Sequence, residues 1–256
     1  MVAGLFCLAT SVFRTGPSVC EFRRSILGSV EVLASIDSRM PPVVRFRGAV
    51  VLLGRFPALA GLDLEVDDGE LVLLQGPNGA GKTSLLRACA GLLAVTGGSA
   101  EVLGHNLTVD RKRVRRHVGM LGHDNNLYAD LQVQDHLRFR ARAGGAGNAE
   151  VSDAIERMEI PQRLLHVQTE RLSAGQRRRV AIAALMLRRP RLWLLDEPHA
   201  GLDASGRAAV DRLLIDAAAA GATVMFASHE LERAGGVATR SVTIQGGQVV
   251  EDSRVS

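Results

Sequence analysis

The sequence predicts an α/β fold with an antiparallel β layer near its start and a small helical subdomain inserted in its middle, and three stretches carry that expectation. The first is Leu71 to Ser84, an apolar strand that runs into Gly76-Pro-Asn-Gly-Ala-Gly-Lys-Thr-Ser84 and then into a helix. The second is Leu192-Trp-Leu-Leu195, a buried strand closing on Asp196-Glu197. The third is Thr223-Val-Met-Phe-Ala227, closing on Ser228-His229. Each strand ends in polar or glycine-rich residues, at the place where α/β sheets bind their ligands.

Composition suits one substantial globular domain, with 256 residues, 46% of them apolar, and a formal charge of +4. Lys82 and Lys112 are the only lysines, so the basicity comes almost wholly from arginine, as a GC-rich genome would produce without any nucleic-acid partner. Cys7, Cys20 and Cys89 are odd in number, widely spaced and without metal-ligand spacing, which suits a reducing compartment. No apolar run approaches the roughly 18 residues that span a bilayer, so a membrane role requires a separate partner. Residues 1–39 show neither periodicity nor chemical motif, and their apolar run from Gly4 to Phe13 has no basic residue before it, as a signal peptide would. They are expected to be a disordered extension or an over-long start, with the folded domain at 40–256.

In chain order, Val43–Phe46, Ala49–Leu52 and Leu62–Val66 read as strands of the antiparallel layer, and Asp67-Asp68-Gly69 as the turn into the strand that begins at Leu71. A helix is expected from Lys82 to about Leu93, a break at Gly97-Gly98-Ser99, a short strand at Ala100–Gly104 and a basic helix over Asp110–His117. That basic run has no aromatic residue for base stacking and reads as a solvated face. Val118–Leu121 is a strand leading to the loop Gly122-His123-Asp124-Asn125-Asn126. Helices at 134–143, 149–159 and 162–165 then make up the inserted subdomain, about 124–170. A long buried helix is expected at Arg177–Leu187, and another from Asp203 to Ala220.

The chemistry follows from the residue types. Gly76, Gly79 and Gly81 allow turns closed to residues with a Cβ, so that consecutive N–H groups of the loop, which also holds Pro77, Asn78 and Ala80, point at phosphate oxygens. Lys82 supplies charge, the helix dipole adds to it, and Thr83 and Ser84 place hydroxyls beside the phosphates, with Thr83 where such loops ligand Mg²⁺. Asp196 and Glu197 alternate in direction, so that one holds a metal while the other polarises water. Ser173 reads either as a helix cap or, with Ala174, Gly175 and Gln176, as a second anion-binding helix start. His229 ends a core strand within reach of a terminal phosphate.

This set, in this order and spacing, resembles the ATP-binding-cassette (ABC) ATPases over residues 40 to 250, the serine-led Leu172–Gln176 segment separating it from other phosphate-loop proteins. The resemblance implies a P-loop NTPase fold with a mixed central sheet, ATP and Mg²⁺ as ligands, and a head-to-tail homodimer. It implies that Ser173, Ala174, Gly175 and Gln176 of one subunit meet the phosphate held by Gly76–Ser84 of the other. It further implies Lys82 as a catalytic charge, Thr83 and Asp196 as metal ligands, Glu197 as the base, Asp203 in cross-subunit communication and His229 as a phosphate sensor. Partners are then a separate integral membrane permease and no nucleic acid, and the location is cytoplasmic, peripheral on the inner face of the membrane.

His123 stands where the family has glutamine, and is expected to meet Mg²⁺, through water in preference to direct contact. Leu53 replaces the aromatic residue that stacks on adenine, with Phe56 three residues on as a substitute. The Gly122-His123 pair, Leu172–Arg179 and Leu192–Pro198 are similar to the ATPase subunits of haem exporters of cytochrome c maturation, although His199-Ala200-Gly201 differs from that branch. A lipid or drug exporter, a soluble cassette ATPase acting on nucleic acid or ribosomes, and a regulator without hydrolysis are the alternatives. The single phosphate loop and the lack of a heptad run weigh against the second, and Glu197 against the third.

Overall fold

A computed structural model describes residues 41–229 and 231–254; the expected extension at 1–39, with Cys7 and Cys20, lies outside the described residues. Two sheets organise the chain. β1 (Val44–Leu53) and β2 (Phe56–Val66) form a hairpin that β4 (Gly97–Val102) and β5 (His105–Asn106) extend into an antiparallel sheet of order β2-β1-β4-β5. The six-stranded sheet has the order β10-β9-β3-β8-β7-β6. Its strands β3 (Leu71–Gln75), β6 (Val118–Leu121), β7 (Leu192–Asp196), β8 (Thr223–Ala227) and β9 (Arg240–Gln245) run parallel, and β10 (Gln248–Arg254) closes the edge antiparallel. The sheet is therefore mixed, as expected.

Strand alternation decides which residues face which layer. Leu71, Leu73, Trp193, Leu195, Val224 and Phe226 join one buried cluster with the helices on that side. Their neighbours Val72, Leu74, Leu192, Leu194, Met225 and Ala227 join the opposite cluster, with the antiparallel sheet and α1 (Lys82–Cys89). Near-continuous apolar runs are what a parallel sheet covered on both faces requires.

Several boundaries differ from the sequence expectations. The two short strands at 43–46 and 49–52 are one strand, bent by an irregular register between Phe46 and Ala49 where Gly48 takes φ 53°. Gly97-Gly98-Ser99 is not a break but the start of β4, where Gly98 lies so close to Gly48 that an added Cβ would stand 2.2 Å from its carbonyl oxygen. α1 stops at Cys89 instead of Leu93 because Gly91 turns the chain with φ 66°. The basic helix over 110–117 is replaced by a short α2 (Leu107–Asp110) and a 3₁₀ turn at Arg113–Arg116. Asp110 accepts from the Lys112 N–H at 3.2 Å and so competes with helical bonding. Two of these arginines serve the end of α1: Arg115 and Arg111 donate to the carbonyl oxygens of Gly91 and Leu92 at 2.9 and 3.0 Å. The β9–β10 hairpin, turned at Gly246 and Gly247 with φ 57° and 78°, had no counterpart among the expectations.

The helical segment contains α3 (Val133–Gly144) and α4 (Asn148–Arg157), with 3₁₀ turns at Gln162–Leu164 and Thr169–Arg171, and packs on α5 (Ala174–Met186). α5 begins three residues earlier than expected because Ser173 caps it. α6 (Ala204–Ala219) and the short α7 (Leu231–Gly235) complete the helices. Among the described residues no helix is long and apolar enough to cross a membrane.

His136 on α3 is fully buried, and its Nδ1 accepts a long 3.5 Å bond from the Tyr128 N–H. Burial, with the Arg140 charge second, pushes its ring down to about 4. An imidazole in the unfolded chain titrates near 6.5, so between those values the unfolded state binds a proton that the folded state refuses. Stability is then lost as pH falls through this window, by up to about 1.4 kcal/mol per pH unit, and is unaffected above it. Between pH 7 and 5 the melting temperature of the wild type is expected to drop by roughly 4 to 8 °C more than that of His136→Leu. Parallel melting curves for the two proteins across that range would contradict this.

Candidate active site

Parallel pairing brings four loops to one edge of the central sheet. Leu74 lies opposite Ala227, Ala227 opposite Asp196, and Leu121 opposite Leu195. The residues just beyond this row are the loop starting at Gly76, then Ser228-His229, Glu197 and Gly122-His123.

The first loop is built around glycines. Gly76 and Gly81 take φ 129° and 115°, and a Cβ on them would stand 2.0 Å from the Ile244 carbonyl oxygen and 2.7 Å from that of Ala58. Both conformation and space therefore exclude a side chain. Gly81 is also the N-cap of α1 and supplies no side-chain acceptor, which leaves first-turn N–H groups for an anion. Lys82 is buried and folds back, its Nζ donating to the carbonyl oxygens of Gly76 at 2.7 Å and Pro77 at 3.0 Å. Those are neutral acceptors, and phosphate oxygens would be stronger ones.

Asp196 and Glu197 make separate contacts. Thr83 Oγ1 donates to Asp196 Oδ2 at 2.8 Å, an all-oxygen pair that fits Mg²⁺ in donor type. Among the described residues no cluster of three or more His, Cys, Asp and Glu side chains forms a metal site of its own. A divalent ion here would rely on Thr83, Asp196, water and phosphate. Glu197 sits at φ 52°, uncommon for a residue with a Cβ, and its N–H donates to the Ala227 carbonyl at 3.0 Å. Its Oε2 accepts from the His229 backbone N–H at 3.2 Å, and its Oε1 lies 3.4 Å from His229 Nε2.

The structure thus gathers the Gly76–Ser84 loop, Asp196, Glu197 and His229, and it does not join Ser173–Gln176 or Asp203 to them. Ser173 Oγ accepts from the Gln176 N–H at 3.2 Å while Gln176 Oε1 accepts from the Ser173 N–H at 2.9 Å, a reciprocal cap on α5. Ala174 begins that helix, and Gly175 abuts Gly201, where a Cβ would stand 2.5 Å from the carbonyl oxygen. Asp203 caps α6 by accepting from Gly206 N–H at 2.9 Å and from Arg179 Nη2 at 2.5 Å; these bonds hold its carboxyl below the usual range, the backbone bond most strongly. Among the described residues no hydrogen bond joins these groups to the Gly76–Ser84 loop. His123 is exposed at the end of β6. Beside the loop a cavity of about 290 Å³ is lined by Leu53, Phe56, Pro57, Gly79, Gly81 and Thr83, with Phe56 81% exposed and its ring available to a ligand.

Arg178 escaped the sequence reading. It is buried, and its Nη1 donates to Gly122 O at 2.8 Å and Asn125 Oδ1 at 3.1 Å. Its Nη2 donates to the carbonyl oxygens of Asp196 at 2.5 Å and Glu197 at 2.6 Å. The signal was the run Arg177-Arg178-Arg179 in a helix flanked by apolar residues, which forces one guanidinium inward.

This sheet edge, loop and acidic strand end define a phosphate-loop nucleotide-binding protein. The chain belongs to the ABC transporter family, whose pattern it matches over residues 59–200, and it is an ABC-type ATPase. Among curated relatives, the cytochrome c biogenesis ATP-binding export protein CcmA of Cupriavidus pinatubonensis is 38% identical over 197 residues, covering 76% of this chain and 87% of that protein. The protein of the same name from Bordetella bronchiseptica is 40% identical over 181 residues, covering 70% of this chain and 80% of that one. A solved ATP-binding subunit of an ABC transporter superposes with TM-score 0.76 at 26% identity, over 83% of this chain and 90% of that one. A bacterial ABC transporter cassette solved as a dimer shares the fold, with TM-score 0.76 at 22% identity over 83% of this chain and 99% of that one.

Proposed function

We propose that this ATPase powers export through a separate membrane permease in cytochrome c maturation, with haem as the cargo. What carries the proposal is the likeness to export proteins of cytochrome c biogenesis over most of both chains, together with the Gly122-His123 pair at the end of β6. The functional unit is residues 40–256, working as a homodimer on the cytoplasmic face of the membrane.

Within each subunit, Lys82 and the N–H groups of Gly76 to Ser84 bind the phosphates, Lys82 exchanging its two carbonyl acceptors for phosphate oxygens. Phe56 stacks on the base in the cavity beside the loop. Thr83 and Asp196 would hold Mg²⁺, with His123 reaching it through water, and the ion would supply positive charge beside the phosphate oxygens. Glu197 orients the attacking water and accepts its proton, and His229 holds that carboxylate while sensing the terminal phosphate. Ser173, Ala174, Gly175 and Gln176 of the second copy complete the anion site, and Asp203 reports its arrival. Positioning and electrostatics supply most of the catalysis.

Glu197→Gln keeps the shape and removes the charge, so it is expected to retain ATP binding, lose about 100-fold or more in turnover, and accumulate an ATP-bound dimer. Wild-type turnover in that variant would remove Glu197 from the reaction. Deleting the gene from the source cell is expected to abolish covalently haem-loaded c-type cytochromes. If those cytochromes form normally, the haem reading falls and the ATPase stands.

A further inference from the structure

We infer that Arg178 is a positioning residue for ATP hydrolysis, tying the strand end that carries Glu197 to the Gly122–Asn125 loop so that movement of the loop is transmitted to Glu197. The inference rests on the chain's being an ATPase and concerns a residue outside the phosphate loop, the acidic pair and the serine-led cap.

A guanidinium 4% exposed is costly, and here it is met by neutral acceptors only: two carbonyls of the strand end, one carbonyl and one amide oxygen of the loop. Burial draws its pKa down, while the charges of Asp196 and Glu197 oppose that. Among the described residues its Nε finds no acceptor. A methionine or leucine at this position of α5 would fill the space without that cost, and would hold neither end.

What the fork holds at one end is an unusual backbone. Glu197 sits at φ 52°, and its carbonyl accepts from Arg178 Nη2 at 2.6 Å, so the bond helps to fix the peptide from which the Glu197 carboxylate projects toward His229. At the other end, Asn125 Oδ1 takes a bond from Nη1, and the next residue, Asn126, accepts through its carbonyl from Arg140 of α3 at 2.9 Å. A continuous series of contacts thus runs from α3 through Asn126, Asn125 and Arg178 to Glu197. Displacement of the helical segment would draw on the loop, and the loop on the carbonyl of the general base. Lysine keeps the charge but lacks the planar fork, and cannot serve acceptors in two directions from one nitrogen.

The test compares wild type, Arg178→Lys, Asn125→Ala and the double variant in steady-state ATPase assays, with amide hydrogen exchange at residues 122–127 measured with and without MgATP. Arg178→Lys is expected to lower kcat about ten-fold with KM for ATP within about two-fold, the signature of lost transition-state positioning. Asn125→Ala leaves both strand-end bonds in place and is expected to lower kcat by roughly two- to five-fold, with the double variant no worse than Arg178→Lys alone. MgATP is expected to slow exchange at 122–127 in the wild type and to do so far less in both single variants. Unchanged kcat in Asn125→Ala together with wild-type exchange would overturn the inference, as would a double variant whose losses multiply. If Arg178→Lys does not fold, Asn125→Ala and its exchange pattern decide alone. Absence of hydrolysis by the wild type would instead count against the ATPase assignment, and the exchange comparison would still read the link.

Discussion

The Thr83 hydroxyl and the Asp196 carboxylate lie 2.8 Å apart although 113 residues separate them in sequence. That contact depends on the register of the central sheet: β3, β8 and β7 are aligned so that Leu74, Ala227 and Asp196 form one row. A slip of one residue in β7 would turn Asp196 to the opposite face, and one in β3 would shift the loop that carries Thr83 away from it. The register is in turn held by two apolar clusters, one on each face of the sheet, which fix β3, β6, β7 and β8 from both sides. The catalytic geometry is therefore a consequence of core packing, with the loops adding glycines where the backbone must approach closely.

The same geometry places the serine-led cap apart from the phosphate loop of its own subunit. Lys82, Thr83, Asp196, Glu197 and His229 converge, while Ser173 to Gln176 cap α5 beside Gly201 and bond to one another. In the proposed head-to-tail dimer, this capped helix start would face the phosphate loop of the other copy. Exchange of partners is inexpensive at the phosphate loop, because Lys82 is held by neutral carbonyls and not by a carboxylate.

Much of this was legible in the sequence. Apolar runs at Leu71, Leu192 and Thr223 mark the strands because both of their faces are buried, and the residues that end them mark the site because parallel strands present their carboxyl ends together. Local competition was less legible: Asp110 disrupts the basic helix through its own side chain, and Gly91 and Gly98 act through close approaches to segments distant in sequence. Arg178 was hidden for a related reason, since a run of three arginines reads as surface until the helix phase places the middle one inside. Ser173 could be read as a cap or as an anion site from its residue type, and the structure shows the cap directly.

In the proposed dimer, hydrolysis needs two copies, each lending its Ser173 segment to the other's Lys82. Turnover per subunit, measured with saturating MgATP across protein concentrations that span the monomer–dimer transition observed by light scattering, tests it most directly. Specific activity is expected to rise with concentration and to track the dimer fraction. Constant turnover per subunit down to concentrations at which the protein is strictly monomeric would contradict it.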